Sequence, residues 1–133
     1  IKDVFSIKPI KTLKSRDYVL VYKSESDIKN ITLKQNLLNK IDIGTGGIIV
    51  TSTGNKSDFV SRYFTPNSSI IEDPVTGSAH CSLIPYWSEV LNKKKMIAIQ
   101  LSKRRGELIC EDKNERVLIG GKAKIYLKGR IWI

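Results

Sequence analysis

Hydrophobic and polar positions mark the elements along the chain. Ile7 to Lys14 reads as a short extended segment interrupted by Pro9, and Asp17 to Lys23 alternates aromatic and β-branched residues as a strand does. Ser26 and Asp27 offer N-cap chemistry for a short helical turn. Thr32 to Lys40 predicts a second helix with Leu33, Leu37 and Leu38 on one side. Beyond the Gly44–Gly47 turn, Ile48 to Ser52 (IIVTS) reads as a buried-type strand. A turn at Thr53–Asn55 then leads to a strand over Asp58 to Phe64 and a loop over residues 66–71. From Ser78 to Leu91 the pattern changes to a helix. Between Ala79 and Trp87 only His80, Ser82 and the Tyr86 hydroxyl are polar, so this helix is expected inside the domain, bent at Pro85. Lys93–Lys95 would complement the negative end of its dipole. Four or five short strands are predicted after it, over residues 96–101, 107–110, 116–119, 122–127 and 130–133. Strands, one buried helix and more strands describe an α+β fold, a curled mixed sheet around a central helix at Ser78–Leu91.

Composition narrows the function. The 133 residues suffice for one domain, taken as residues 1–133, and 41% hydrophobic with 27% charged is ordinary globular composition. Cys81 and Cys110 form neither a disulfide scaffold nor a CxxC zinc pair. His80 is the single histidine, so no metal site is expected. No apolar run reaches the ~18 residues of a membrane helix, and no charged-then-apolar leader is present. A reduced, soluble, cytoplasmic protein is the expectation. The chain opens on Ile1 rather than Met, as a piece of something longer would. The net charge of +10 is mostly Lys and is spread along the chain, with tight clusters only at Lys93–Lys95 and Lys103–Arg105. With no RNP-like or helix-turn-helix pattern, it reads as a solvated surface; attraction to anionic partners, nucleic acid included, is the lesser alternative.

The segment Glu72-Asp73-Pro74-Val75-Thr76-Gly77-Ser78-Ala79-His80 carries the candidate chemistry. Pro74 fixes the approach of the chain, and Gly77 permits a tight turn, with positive φ available to it. The amides of Gly77, Ser78 and Ala79 would then stand free at a helix N-terminus, where a carboxylate is a natural guest. Asp73 beside them could shuttle a proton. The structural alternative is that Asp73, Thr76 or Ser78 simply caps the helix.

EDPVTGSAHC followed by PYW resembles the phenazine biosynthesis-like (PhzF-type) family, whose members carry ExDPxTGSAH near such a helix. GIIVTST and DFVSRYFTP upstream, and LSKRRGELIC and GKAKIYLKG downstream, are similar to that family in the same order, so the resemblance covers almost the whole chain. It is a resemblance to the family's C-terminal half. It implies one lobe of a diaminopimelate-epimerase-like fold, in which two similar lobes each wrap a sheet around a central helix and the active site lies between them. It further implies cofactor-independent proton transfer on a small carboxylic acid, an isomerisation or epimerisation. Asp73 and Ser78 match the family's catalytic positions, and Thr76, Gly77, Ala79 and His80 are the expected substrate-binding positions. Cys81 does not match a catalytic thiol and is expected as buried packing. The family's acid/base glutamate and its GHAT-like motif belong to the first lobe and have no counterpart here.

The resulting expectation is the C-terminal lobe of a PhzF-type isomerase, without cofactor. Its partners would be a small carboxylate substrate and either the missing N-terminal lobe or further copies of itself. The rival readings are a non-catalytic acid-binding or assembly module and, last, a basic nucleic-acid-binding domain. His80 stays open between a core histidine satisfied by a backbone carbonyl and a residue orienting Asp73 or the substrate. Tyr63 and Phe64 are expected in the core.

Overall fold

A computed structural model describes residues 3–133; Ile1 and Lys2 lie outside the described residues. Strands β1 (Lys11–Lys14) and β2 (Tyr18–Val21) form a hairpin, followed by helices α1 (Glu25–Asn30) and α2 (Gln35–Leu38). Next come β3 (Ile48–Thr53), β4 (Phe59–Phe64), the two-residue β5 (Glu72–Asp73) and helix α3 (His80–Leu91). Strands β6 (Lys95–Gln100), β7 (Gly106–Asp112) and β8 (Val117–Gly120) complete one eight-stranded sheet in the order β1-β2-β3-β4-β6-β7-β8, with β5 paired to β4. The β2–β3 and β4–β6 pairs are parallel and the rest antiparallel, so the sheet is mixed, as expected.

Side-chain alternation explains the layers. Val19, Val21, Ile49, Phe59 and Tyr63 point to one face and pack with Leu83, Ile84 and Trp87 of α3. Leu20, Ile48, Val50, Val60 and Phe64 point to the other and pack with Ile28 of α1 and Leu38 of α2. Covered on both faces, β3 and β4 are buried at nearly every position, small polar residues Thr51, Ser52 and Ser61 included, which is why IIVTS has no polar alternation. The Trp87 indole N–H donates to Thr51 Oγ1 at 3.0 Å and ties α3 to the middle of the sheet. Tyr63 and Phe64 are core residues.

Several expectations are corrected. α3 begins at His80, after a turn over residues 77–79, two residues later than Ser78. It is buried along one stripe only, His80, Leu83, Ile84, Trp87 and Ser88, while Pro85 and Val90 face outward. Cys81 lies on that outward side and is exposed, not buried. α1 is capped by Ser24, whose side chain forms a capping box with Asp27, because Ser26 already lies within the helix. The second helix shrinks to Gln35–Leu38, with Leu33 drawn instead into a bridge with Phe5. Lys93 and Lys94 pair with Asp58 and Asp112, and Lys95 starts β6, so all three lie just beyond the last turn of α3 rather than in it. The strands expected over residues 122–127 and 130–133 do not form. An extended segment needs a neighbour to take its backbone hydrogen bonds, and these residues have none in this chain.

Candidate active site

The Asp73–Ala79 loop is built by its neighbours. β5 pairs Asp73 with Tyr63 and Glu72 with Phe64, which sets the loop at the end of β4. Glu72 does not reach the loop's polar groups; it makes a two-point ion pair with Arg62, Nε–Oε1 at 2.7 Å and Nη2–Oε2 at 2.9 Å. Gln100, fully buried at the end of β6, clamps the turn. Its Oε1 accepts from the Thr76 amide at 2.8 Å, and its Nε2 donates to the Asp73 carbonyl at 2.8 Å and to Thr76 Oγ1 at 3.1 Å. The Ser102 hydroxyl donates to the Pro74 carbonyl at 2.7 Å. A Cβ on Gly106 would press into Val75, so the β6–β7 hairpin packs against the loop only because that position is glycine.

The Thr76 hydroxyl donates to Asp73 Oδ2, while Asp73 Oδ1 has no partner among the described residues. One oxygen is anchored and the other is free. Gly77 and Ser78 are exposed, and the amides of Gly77, Ser78 and Ala79 donate to no acceptor among the described residues. The first hydrogen bonds here run from His80 N to Gly77 O at 3.0 Å and from Cys81 N to Ser78 O at 3.1 Å. No side chain caps α3, so the capping alternative does not describe Asp73, Thr76 or Ser78. Gly77 is not in the left-handed region; a Cβ there would meet no atom within 4 Å, so its lack of a side chain keeps the approach to the amides open.

His80 is fully buried under this turn. Its Nδ1 lies 2.8 Å from the Thr76 carbonyl, which can only accept, so Nδ1 carries the proton and Nε2 is left as a buried acceptor without a partner. Burial holds the imidazole below its ordinary pKa, against the smaller opposing effect of the Thr76 carbonyl. His80 is thus a core histidine satisfied by a backbone carbonyl, and it makes no hydrogen bond to Asp73 among the described residues.

The β1–β2 hairpin adds residues that the linear motif did not reveal. Arg16 Nη2 donates to Ser78 Oγ at 3.1 Å and to the carboxylate of Asp17 at 3.2–3.3 Å. Asp17 is buried and also accepts from the Gly47 amide at 2.8 Å and the Tyr63 hydroxyl at 3.1 Å. Asp17 raises the Arg16 pKa further, so the guanidinium is a fixed positive charge beside the free amides. Ser15 and Ser82, 3.1 Å apart, join the same hairpin to the first turn of α3. Free N–H groups, a helix N-terminus and a half-exposed Arg converge where an anion would sit, next to a carboxylate with one free oxygen. Among the described residues no group of His, Cys, Asp and Glu gathers as a metal would require. No helix there is long and apolar enough to cross a membrane.

A family model described as phenazine biosynthesis-like protein matches residues 3–129. The chain belongs to that family. An uncharacterized isomerase of Pseudomonas aeruginosa is 42% identical over 132 residues, covering 98% of this chain and 50% of that protein. An uncharacterized isomerase of Halalkalibacterium halodurans is 43% identical, covering 97% and 49%. The crystal structure of a PhzF family protein from Enterococcus faecalis superposes with a TM-score of 0.88 at 43% identity, over 99% of this chain and 50% of that one. The fold is thus the α+β, diaminopimelate-epimerase-like fold of the PhzF family, and the chain spans about half the length of the curated relatives it matches.

Proposed function

We propose that this chain is the C-terminal lobe of a cofactor-independent isomerase or epimerase that moves a proton on a small carboxylic acid. The carrying observation is the pairing of a half-tethered carboxylate, Asp73, with the unpaired amides of Gly77–Ala79. Two relatives that match nearly the whole chain are named isomerases, which supports the reaction class. In this reading the substrate carboxylate sits on the amides, with Ser78 and Arg16 beside it. Asp73 Oδ1 takes or returns the proton, while the Thr76 hydroxyl, itself held by Gln100, fixes the orientation of the carboxylate. Neutral His80 holds the Thr76 carbonyl from below. The second acid/base group stands across the substrate, on a complementary lobe. The rival reading, a non-catalytic acid-binding module, is favoured by one observation: beside Asp73 the loop has no second free acid/base group, since Glu72 is paired with Arg62.

Proton exchange in D₂O separates the two readings. A panel of small carboxylic acids with acidic α-protons is followed by NMR with the chain alone and with the other half of a relative added as a separate polypeptide. Each acid/base group contributes roughly 10²–10⁴-fold, so the chain alone should show no measurable exchange, and the added half should restore it. Asp73→Asn should remove the restored exchange. Exchange that persists in Asp73→Asn overturns the assignment, and binding without exchange in the complemented protein favours the module.

A further inference from the structure

Among the described residues, three buried side-chain atoms make no hydrogen bond: the Tyr22 hydroxyl, Ser61 Oγ and His80 Nε2. Native interiors rarely leave such atoms unpaired, because each has given up water for nothing. Tyr22 packs on the α1 side of the sheet, away from the other two. Ser61 and His80 share the α3 side. On β4, Ser61 stands between Phe59 and Tyr63, both packed against α3, and the strand period turns it to the same face. Its neighbours across the sheet are Thr51 on β3 and Gln100 on β6.

The residues around Ser61 locate what lies above it. The Phe59 ring is 5.9 Å from the His80 ring, centroid to centroid. Gln100 holds the amide of Thr76, whose carbonyl takes the His80 Nδ1 proton. Thr51 accepts from the Trp87 indole, two turns further along α3. Ser61 thus lies beneath the first turn of the helix, on the side where His80 is buried. The two atoms are also chemical complements: a hydroxyl without an acceptor and a ring nitrogen, bare of its proton, without a donor.

We propose that Ser61 is a positioning residue of the site, its hydroxyl supplying, through one enclosed water, the hydrogen bond that His80 Nε2 accepts. The two side chains do not bond directly, and a single water accepts from one and donates to the other. Buried waters of this kind make two to four hydrogen bonds to otherwise unpaired polar groups. Thr51 Oγ1, which accepts from Trp87 and donates to the Val60 carbonyl, keeps a second lone pair for the water's other proton. With both ring nitrogens engaged, the imidazole stays fixed under the Thr76 carbonyl. Thr76 in turn holds Asp73 Oδ2 through its hydroxyl. A residue outside the EDPVTGSAHC segment therefore helps to set the loop. That last step rests on the proton-transfer reading of the loop; the link between Ser61 and His80 does not.

The test uses the full 133-residue chain labelled with ¹⁵N-histidine, in which His80 gives the one pair of ring-nitrogen signals. At neutral pH the Nε2 signal should lie upfield of a free pyridine-type nitrogen, with a water cross-peak to the ring. Ser61→Ala should move Nε2 downfield and remove the cross-peak, while Nδ1 stays protonated. In urea denaturation Ser61→Ala should raise the unfolding constant about tenfold, and clearly less when His80→Phe is already present, because removing both partners is nearly neutral. If Ser61 has no partner, Ser61→Ala leaves the Nε2 signal in place and stability unchanged or higher, and the proposal is overturned. Where His80→Phe does not fold, the Nε2 signal decides alone. Acetate affinity, read from the Gly77–Ala79 amides, should fall about threefold in Ser61→Ala, as for a residue acting through a packed network. An unchanged affinity beside a moved Nε2 signal overturns the positioning role. A wild-type chain that binds no acetate overturns the reading of the loop and that role with it, and the Nε2 signal still decides the link.

Discussion

At the scale of single residues, Gln100 does most to shape the site without facing a ligand. Replacing it with Leu keeps the packing volume but leaves the Thr76 amide and the Asp73 carbonyl without partners. A buried group left unsatisfied costs about 1–3 kcal/mol, so Gln100→Leu should lower stability in urea denaturation by about 2–3 kcal/mol. Stability within 0.5 kcal/mol of wild type would show that the clamp is dispensable. Arg16 is the complementary case, a charge aimed at the site. Arg16→Gln should weaken acetate or sulfate binding, read from the Gly77–Ala79 amide shifts in an NMR titration, by about tenfold, the equivalent of one charge-assisted contact. An unchanged affinity would place the anion elsewhere. Asp73, Thr76, Gly77, Ser78 and His80 were legible in the sequence because one turn contains them all. Arg16, Asp17 and Gln100 were not. They arrive from other strands, and only the order of strands in the sheet brings them to the loop.

At the scale of elements, periodicity locates the longer strands and α3 alike, and fails at the short helices α1 and α2 and at the chain's last thirteen residues. β2, β3, β4, β6, β7 and β8 fall within a residue or two of expectation, because a strand's side-chain period is fixed by its pleat. The ends of helices depend on particular hydrogen bonds. Ser24, not Ser26, accepts from the Asp27 amide at 3.2 Å, and Asp27 returns a contact to the Ser24 amide at 3.0 Å. Ser24→Ala should therefore cost about 1 kcal/mol in thermal or urea denaturation, whereas Ser26→Ala should cost clearly less. Equal losses would contradict the cap. The residues 122–133 show the limit of periodicity: it reports which face wants burial and is silent on what lies opposite. The β6–β7 hairpin couples an element to the site. Gly106→Ala pushes on Val75, whose branched side chain has little freedom to yield, and should shift the loop amides in NMR and weaken anion binding while leaving the global fold intact.

At the scale of the whole molecule, stability against pH adds up groups that never touch one another. His80 titrates lower in the folded protein than unfolded because burial disfavours its charged form. Between the two values the unfolded chain binds more protons, so this contribution is complete above about pH 6.5 and is lost as pH falls below it. A second loss follows at lower pH from carboxylates held low in the folded state. Hydrogen bonds from Lys29 and the Asn55 amide lower Glu25. Burial pushes Asp58 up, but the bonds from Lys93 and the Ile97 amide outweigh it. Lys94, Ser88 and the Asn114 amide hold Asp112 down to about 2. These contributions are present above the unfolded carboxylate values near pH 4 and disappear as pH falls through the folded ones, while the growing positive charge adds repulsion. On the alkaline side the sign reverses. Burial raises the Cys110 thiol to about 11 and Tyr22 higher still, so the folded state keeps protons that the unfolded chain gives up, and stability falls as pH rises past the unfolded thiol value. Melting temperature should therefore hold a plateau from about pH 7 to 8 and fall on both sides, with a distinct shoulder as pH drops below about 6.5, at a slope of at most about 1.4 kcal/mol per pH unit for one proton. His80→Gln has no titrating ring and should flatten that shoulder while leaving the acid limb below pH 4.5 in place. A shoulder that persists unchanged in His80→Gln would mean that a group other than the imidazole under the Thr76 carbonyl controls it, and that His80 is not held neutral by the fold.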